Sequence, residues 1–188
     1  MNYRGSSSQE RFVLDITKNK TNGYYVELGA FHSSQGSNTF FLEKDYNWNG
    51  VSFEITEERR KEFIENRSNP CMGDALKFDY IKYFKENNFP KQIDYLSIDV
   101  EGAEFEVIKS INFDKVYIDV IGFESNYNDT SMPIIKYLEE RNYVVIHNSL
   151  DIFMIHKNSV FMKNKFQRIE RKFFVYLVKK NKGYIALS

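Results

Sequence analysis

The apolar run 24–28 meets Gly29 and then a stretch of small and polar residues, Ala30, Ser33, Ser34 and Gly36, before helix-type spacing resumes near Ser37. A strand that breaks into a glycine loop and re-enters as a helix is the opening unit of many nucleotide-binding α/β domains. Small residues let the backbone approach a bound molecule, and the first turn of a helix carries N–H groups without intrahelical partners. The spacing is not GxGxxG, so the dinucleotide fingerprint is unmet. Glu27 stands two residues before Gly29, and no Lys or Arg occurs between Gly23 and Glu43. A pyrophosphate finds no positive charge in that stretch. A cationic, hydroxyl-rich ligand fits it better, which points to S-adenosylmethionine with its sulfonium, ammonium and ribose.

The rest of the chain repeats the alternation. Apolar strand-like runs at 51–55, around Cys71 and Met72, at 93–98 and at 116–123 are separated by amphipathic helical segments, which predicts a mostly parallel sheet with helices on both faces. Thr56 is placed to cap the helix after the second strand, with Phe63 and Ile64 on its apolar side. A helix over 131–141 carries Pro133 in its first turn, where proline is tolerated. Runs 143–147 and 151–155 then form an antiparallel hairpin. Behind Ser6, Ser7 and Ser8, the positions Phe12, Val13 and Ile16 predict an N-terminal covering helix within residues 1–20.

Glu27, Glu54, Asp74, Asp99 and Glu124 each fall at or just beyond the carboxyl end of a successive strand. That edge is where open α/β sheets bind ligands. Five acids there repel one another unless the ligand offsets them, and carboxylates accept ribose hydroxyls well. Glu54 follows Gly29 by 25 residues, close to the roughly 20-residue interval at which an acid reaches a ribose.

With 188 residues, 42% of them hydrophobic, the chain is long enough for one domain with a substantial core. Its longest apolar run spans the six residues 173–178, short of the roughly 20 a membrane helix needs. No secretory h-region precedes a cleavage site, and the single Cys71 cannot form an internal disulfide, so a cytoplasmic location is expected. One Cys and three His do not make a structural zinc site. The zero net charge hides an asymmetry. Residues 157–188 hold nine Lys or Arg against one acid, a charge of +8, and the body before them carries −8.

The chain resembles the FkbM-type methyltransferases. The resemblance is carried by SSQERFVL near the N-terminus, GYYVELGAFHSSQGSNTFFLE at 23–43, WNGVSFEI at 48–55, GDAL at 73–76, IDYLSIDVEGAEFEVI at 93–108, GFESN at 122–126 and DIFMI at 151–155. It implies a Rossmann-like class I fold of seven strands with an antiparallel last strand, S-adenosylmethionine as methyl donor, and O-methylation of a small-molecule, sugar or glycan hydroxyl. It further implies that Glu27, Gly29 and Ala30 hold the methionine part, Glu54 the ribose, and Asp74 with Ala75 the adenine, while Asp99, Glu101 and Gly102 lie beside the reactive end. The methyltransferase domain then covers 1–156, and 157–188 is an extension outside the resemblance.

Methyl transfer to a hydroxyl benefits from a general base, and the candidates are Asp99, Glu101, Glu124 and His32. Asn38 and Asn126 are the candidates for hydrogen bonding the acceptor. Asp99, Glu101 and Glu124 also have the chemistry of an oxygen-ligand site for Mg²⁺, but the spacing is thin support and no metal is expected. Two other readings compete: an RNA ribose methyltransferase, prompted by the basic tail, and a donor-binding fold kept as an interaction module. The acidic body argues against nucleic acid. In the tail, Met162, Phe166, Ile169, Phe173 and Leu177 recur at helical spacing, which predicts an amphipathic helix over 161–180 that docks on the body or on a second copy.

Overall fold

The computed structural model describes residues 9–125, 131–148 and 150–162. Seven strands form one sheet: β1 (Tyr24–Leu28), β2 (Asn49–Phe53), β3 (Cys71–Met72), β4 (Gln92–Ile98), β5 (Tyr117–Glu124), β6 (Tyr143–Asn148) and β7 (Asp151–His156). Their order is β3-β2-β1-β4-β5-β7-β6. The first five strands run parallel, and β7 is inserted antiparallel between β5 and β6. The expected seven-stranded sheet with an antiparallel last strand is therefore present. After β3 the chain returns to place β4 on the other side of β1, so the strand order reverses between β1 and β4. A crevice at the carboxyl ends of these two strands is the standard ligand position of such a sheet.

The strands are apolar on both faces because both faces are covered. The register aligns Val51, Val26, Leu96, Ile121 and Met154 in one row across the sheet. This row is buried with residues of α4 (Tyr80–Glu86), α5 (Glu104–Ser110) and α6 (Ser131–Glu139). The adjacent row holds Tyr25, Tyr95, Val120 and Ile155. These four pack with Val13, Leu14 and Ile16 of α1 (Gln9–Ile16), Leu42 of α2 (Phe40–Tyr46) and Trp48. Gly50 faces Tyr25 in the register, and a Cβ there would stand 2.4 Å from the Tyr25 ring, so the ring lies on β2 only because that position is glycine.

Several expected details shift. The helix after the glycine loop starts at Phe40 rather than near Ser37, for a reason that belongs to the site below. In α3 (Glu57–Asn66) Phe63 is buried, but Ile64 is exposed because the next residue turns by about 100° around a helix. Thr56 makes no side-chain cap; the Glu54 carboxylate accepts its N–H instead. Residues 157–162 still pack on the domain, with the Lys157 N–H on the Asn142 carbonyl and Phe161 buried in the second core. Packed structure thus continues past the boundary expected at 156. The amphipathic pattern from Lys163 onward lies outside the described residues, as do residues 1–8 with Ser6, Ser7 and Ser8. Among the described residues no helix is long and apolar enough to cross a membrane.

Candidate active site

A cleft of about 700 Å³ opens at the carboxyl edge of the sheet, within the size range of small-molecule sites. Its lining comes from the loops after five strands: Gly29 and Phe31 after β1, Glu54 to Thr56 after β2, Gly73 to Leu76 after β3, Asp99 to Glu101 after β4, and Glu124 at the end of β5. Of the residues singled out in the sequence, Gly29, Glu54, Asp74, Ala75, Asp99, Glu101 and Glu124 come together here. Gly29 has φ +81°, and a Cβ on it would lie 1.6 Å from the Asp99 carbonyl oxygen. Only glycine lets the β1 and β4 ends meet at the crevice.

Glu27 does not line the cleft. It is 1% exposed and accepts four hydrogen bonds, from Ser37 Oγ, Asn38 N, Thr39 Oγ1 and Ser52 Oγ. Four donors fill the lone-pair sites of one carboxylate. In the register Glu27 lies between Ser52 and Ser97, in the strand parity of Tyr25, so its side chain goes to the face covered by α1 and α2. Its grip on Ser37, Asn38 and Thr39 explains why those residues stay outside the helix. The N–H of Phe41, in the first turn of α2, is likewise taken by the Glu10 carboxylate. The amides expected to point at a ligand are therefore used inside the fold.

Arg67, just after α3, completes this support. All five of its N–H donors are engaged: with Glu43 Oε2 at 2.7 Å, the Ser33 carbonyl, Ser37 Oγ, the Tyr25 hydroxyl and Thr39 Oγ1. Burial works against its charge, but the partial and full negative charges of Tyr25, Glu27 and Glu43 outweigh it and raise the guanidinium pKa. Burial likewise opposes the Glu43 carboxylate, and Arg67 with the Ser68 N–H still leaves its pKa below the ordinary value. Burial is also the main reason the Tyr25 hydroxyl is pushed up. Neither Arg67 nor Glu43 has a local sequence pattern that announces this role.

The remaining expected residues are placed as follows. Ala30 is buried, and its N–H goes to the Phe53 carbonyl. His32 is turned to α3, with Nδ1 2.9 Å from Glu62 Oε2; Glu62 also accepts from the Ser33 N–H and hydroxyl. The hydrogen bond from His32, then those from Ser33, hold the Glu62 pKa below its usual value. Asn38 is 1% exposed and away from the cleft lining, with Oδ1 lacking a hydrogen-bond partner among the described residues. Gly102 adopts φ +99° and donates its N–H to Glu104 Oε1, which fixes the turn that carries Glu101 at φ 52°. Asn126 lies outside the described residues. Among the described residues no group of three or more His, Cys, Asp or Glu is arranged to hold a metal.

Within the cleft the acids differ. Glu54 is 5% exposed and accepts from the Phe31 and Thr56 N–H groups. Asp74 is more open, and its contact with Lys77, then the Leu76 N–H, lowers its pKa. The Asp99 carboxylate has no hydrogen bond or ion pair with the described residues, while the backbone N–H of Asp99 donates to the Leu28 carbonyl. Burial, followed by the nearby charges of Glu124 and Glu101, raises its pKa from the usual carboxylate range to about 7. Sequence reasoning missed Phe31, Ile55, Leu76 and Arg59 in the lining. The first three each follow directly on a residue that was singled out, and Phe31, Ile55 and Leu76 are exposed apolar side chains. The available signal was an apolar residue right behind a singled-out loop position: Ile55 after the acid Glu54, and Phe31 and Leu76 after the alanines Ala30 and Ala75.

Residues 18–145 match the family model described as the methyltransferase FkbM domain. No curated protein matches the chain significantly. Among solved structures, the chain is similar to an O-methyltransferase from Bacillus cereus solved in complex with SAH, with 15% identity and a TM-score of 0.55 over 81% of this chain and 82% of that one. The METTL16 MTase domain gives 12% identity and a TM-score of 0.57 over 77% and 64%. A TehB-like SAM-dependent methyltransferase from Corynebacterium glutamicum gives 9% identity and a TM-score of 0.52 over 79% and 88%. At these identities the structures speak to the fold.

Proposed function

The chain belongs to the FkbM methyltransferase domain family and is an S-adenosylmethionine-dependent methyltransferase; from that premise we propose that it methylates a hydroxyl of a sugar, glycan or related small molecule, with Asp99 as the general base. The observation that carries the reading is Asp99 itself, a part-buried carboxylate at the β1–β4 crevice whose oxygens have no hydrogen-bond partner among the described residues. A base works best when its pKa lies near the operating pH, and about 7 meets that condition.

The chemistry of the cleft fits the donor. S-adenosylmethionine supplies a methyl group already activated on a sulfonium. Carboxylates at Glu54, Asp74 and Asp99 suit its cationic and hydroxyl-bearing parts, and the apolar Phe53, Ile55, Ala75 and Leu76 suit the faces of adenine. In this reading Glu54 accepts from the ribose hydroxyls, Asp74 with Ala75 and Leu76 holds the adenine, and the Gly29 loop receives the amino-acid end. Glu27 serves the loop from behind, with its lone pairs filled. Asp99 accepts the proton of the acceptor hydroxyl at its free carboxylate oxygens. Glu101 and Glu124 raise its proton affinity through their charge. An acidic cleft favours neutral acceptors over phosphorylated ones, which supports a sugar-type hydroxyl over an RNA ribose.

The test is methyl transfer to a panel of sugar and glycan hydroxyl acceptors, scored as O-methyl product by mass spectrometry over pH 5.5–8.5 at roughly even steps around the Asp99 pKa. The expected rate rises with pH through about 7, and Asp99→Asn removes that rise. A variant that keeps the wild-type profile excludes Asp99 as the base. Products methylated only on nitrogen or carbon exclude the hydroxyl assignment.

A further inference from the structure

Among the described residues, the cleft lining contains five carboxylates and one cationic side chain, Arg59. We propose that Arg59 is the carboxylate-binding residue of the cleft, taking the α-carboxylate at the amino-acid end of the donor; the inference rests on the donor reading above. Of the groups S-adenosylmethionine presents, the sulfonium, ammonium and hydroxyls are all attracted to a row of acids. The carboxylate alone is repelled, and it needs a cation or it weakens binding. Among the described residues, Arg59 is the cation that lines the cleft.

Arg59 stands apart from its neighbouring arginines. Arg67 has every donor engaged in the core. Arg60 gives Nη1 to the carbonyls of Glu54 and Ile55 at 2.7 and 2.6 Å. The Arg59 guanidinium makes no hydrogen bond with the described residues; it has one ion pair, Nη1 to Glu54 Oε2 at 3.7 Å, too long for a strong hydrogen bond. Its guanidinium is held by a ring instead, with its carbon 4.0 Å from the Phe31 centroid. Phe31 is fixed in turn: its backbone is left-handed at φ 54°, and its N–H is bound by Glu54 Oε2.

This chain of contacts connects the β1 loop, the strand-end acid of β2 and the first turns of α3. Contact with an aromatic face restrains a guanidinium while leaving its N–H donors available, and such a fork matches a carboxylate with two parallel hydrogen bonds. Restraining the side chain before the ligand arrives lowers the ordering cost of binding. Phe31 also belongs to the Gly29 loop, which is the part of the cleft assigned to the amino-acid end. A carboxylate on the acceptor is the other source of the same chemistry, and the choice of ligands separates the two.

Calorimetry with S-adenosylhomocysteine and with 5′-methylthioadenosine, the same nucleoside thioether without an amino-acid end, tests the assignment. Loss of a charge-assisted pair in Arg59→Met should weaken S-adenosylhomocysteine about ten- to a hundredfold and leave 5′-methylthioadenosine within about twofold. Arg59→Lys should recover part of the loss, and Phe31→Leu, which removes only the restraint, should cost about two- to fivefold. If Arg59→Met does not fold, Arg59→Lys carries the same two-ligand comparison. Equal losses for both ligands overturn the proposal, because Arg59 then acts on the nucleoside through Glu54. Unchanged S-adenosylhomocysteine affinity overturns it as well and moves the carboxylate site to the acceptor. A wild type that binds neither ligand defeats the donor reading itself, whereas a wild type that binds with an indifferent Arg59→Met defeats this inference alone.

Discussion

The two sides of the glycine loop use charge in opposite ways. Behind the loop, Glu27 and Arg67 are buried with four and five hydrogen bonds, joined through the hydroxyls of Ser37 and Thr39. In front of it, the Asp99 carboxylate and the Arg59 guanidinium have no hydrogen bond to the described residues. A saturated charge can only hold its neighbours in place, because any new ligand must first displace a partner. A charge with open lone pairs or open N–H donors is available to a ligand, and the fold tolerates it only because solvent reaches the cleft. The contrast separates scaffold from site more sharply than residue type does, since both sides pair carboxylates with an arginine.

The scaffold side should respond most strongly in stability. Arg67→Met leaves Glu27 and Glu43 buried without their cation, and breaking such a pair costs about 3–5 kcal/mol; denaturant unfolding should show it. A loss below about 1 kcal/mol would mean that Arg67 behaves like a surface residue. On the cleft side, Asp99→Asn should slow methyl transfer by about a hundredfold or more while S-adenosylhomocysteine affinity changes only a few fold. Parallel losses would place Asp99 in the donor site rather than at the acceptor. Glu54→Ala should weaken S-adenosylhomocysteine about tenfold or more, and equal affinities in calorimetry would sink the ribose assignment.

The same Asp99 variant should do the reverse to stability. The folded pKa of about 7 lies above the roughly 3.9 of an unfolded Asp, so the native state holds the extra proton between those values. Stability from that proton is present below pH ~4 and fades as pH rises through about 7. Asp99→Asn should therefore be more stable than wild type at pH 8, by about 2 kcal/mol after solvent screening in an open cleft, and equal to it near pH 4. Thermal melts at the two pH values give the comparison. The smallest effect is expected at His32→Ala, where a part-exposed pair with Glu62 is lost at a cost of about 0.2–1 kcal/mol. A large loss of methyl transfer there, with Tm unchanged, would return His32 to the reaction.

Where the signal was local, the chain could be read directly. Val26, Leu96 and Ile121 sit in short apolar runs between amphipathic segments, and these runs are the strands. Glu54, Asp74, Asp99 and Glu124 lie at or just beyond the ends of such runs, and all four reach the cleft. Glu27 carried the same signal and was misplaced. It lies inside β1, one residue before the strand ends, so the pleat sends its side chain to a sheet face. Ser37 looks like a helix cap, but Glu27 takes its hydroxyl and the helix waits until Phe40.

The sequence alone determined the α/β alternation, the parallel sheet with a closing hairpin, the glycine position and most of the acids at the carboxyl edge. Each of these depends on residues close together in the chain, where periodicity and turn chemistry act. Only the tertiary structure decided which charges are saturated. Arg67 meets Tyr25 and Thr39 from 42 and 28 residues away, and Arg59 of α3 meets Phe31 of the β1 loop. Hydrogen-bond saturation is a property of what converges in space, and no spacing along the chain encodes it.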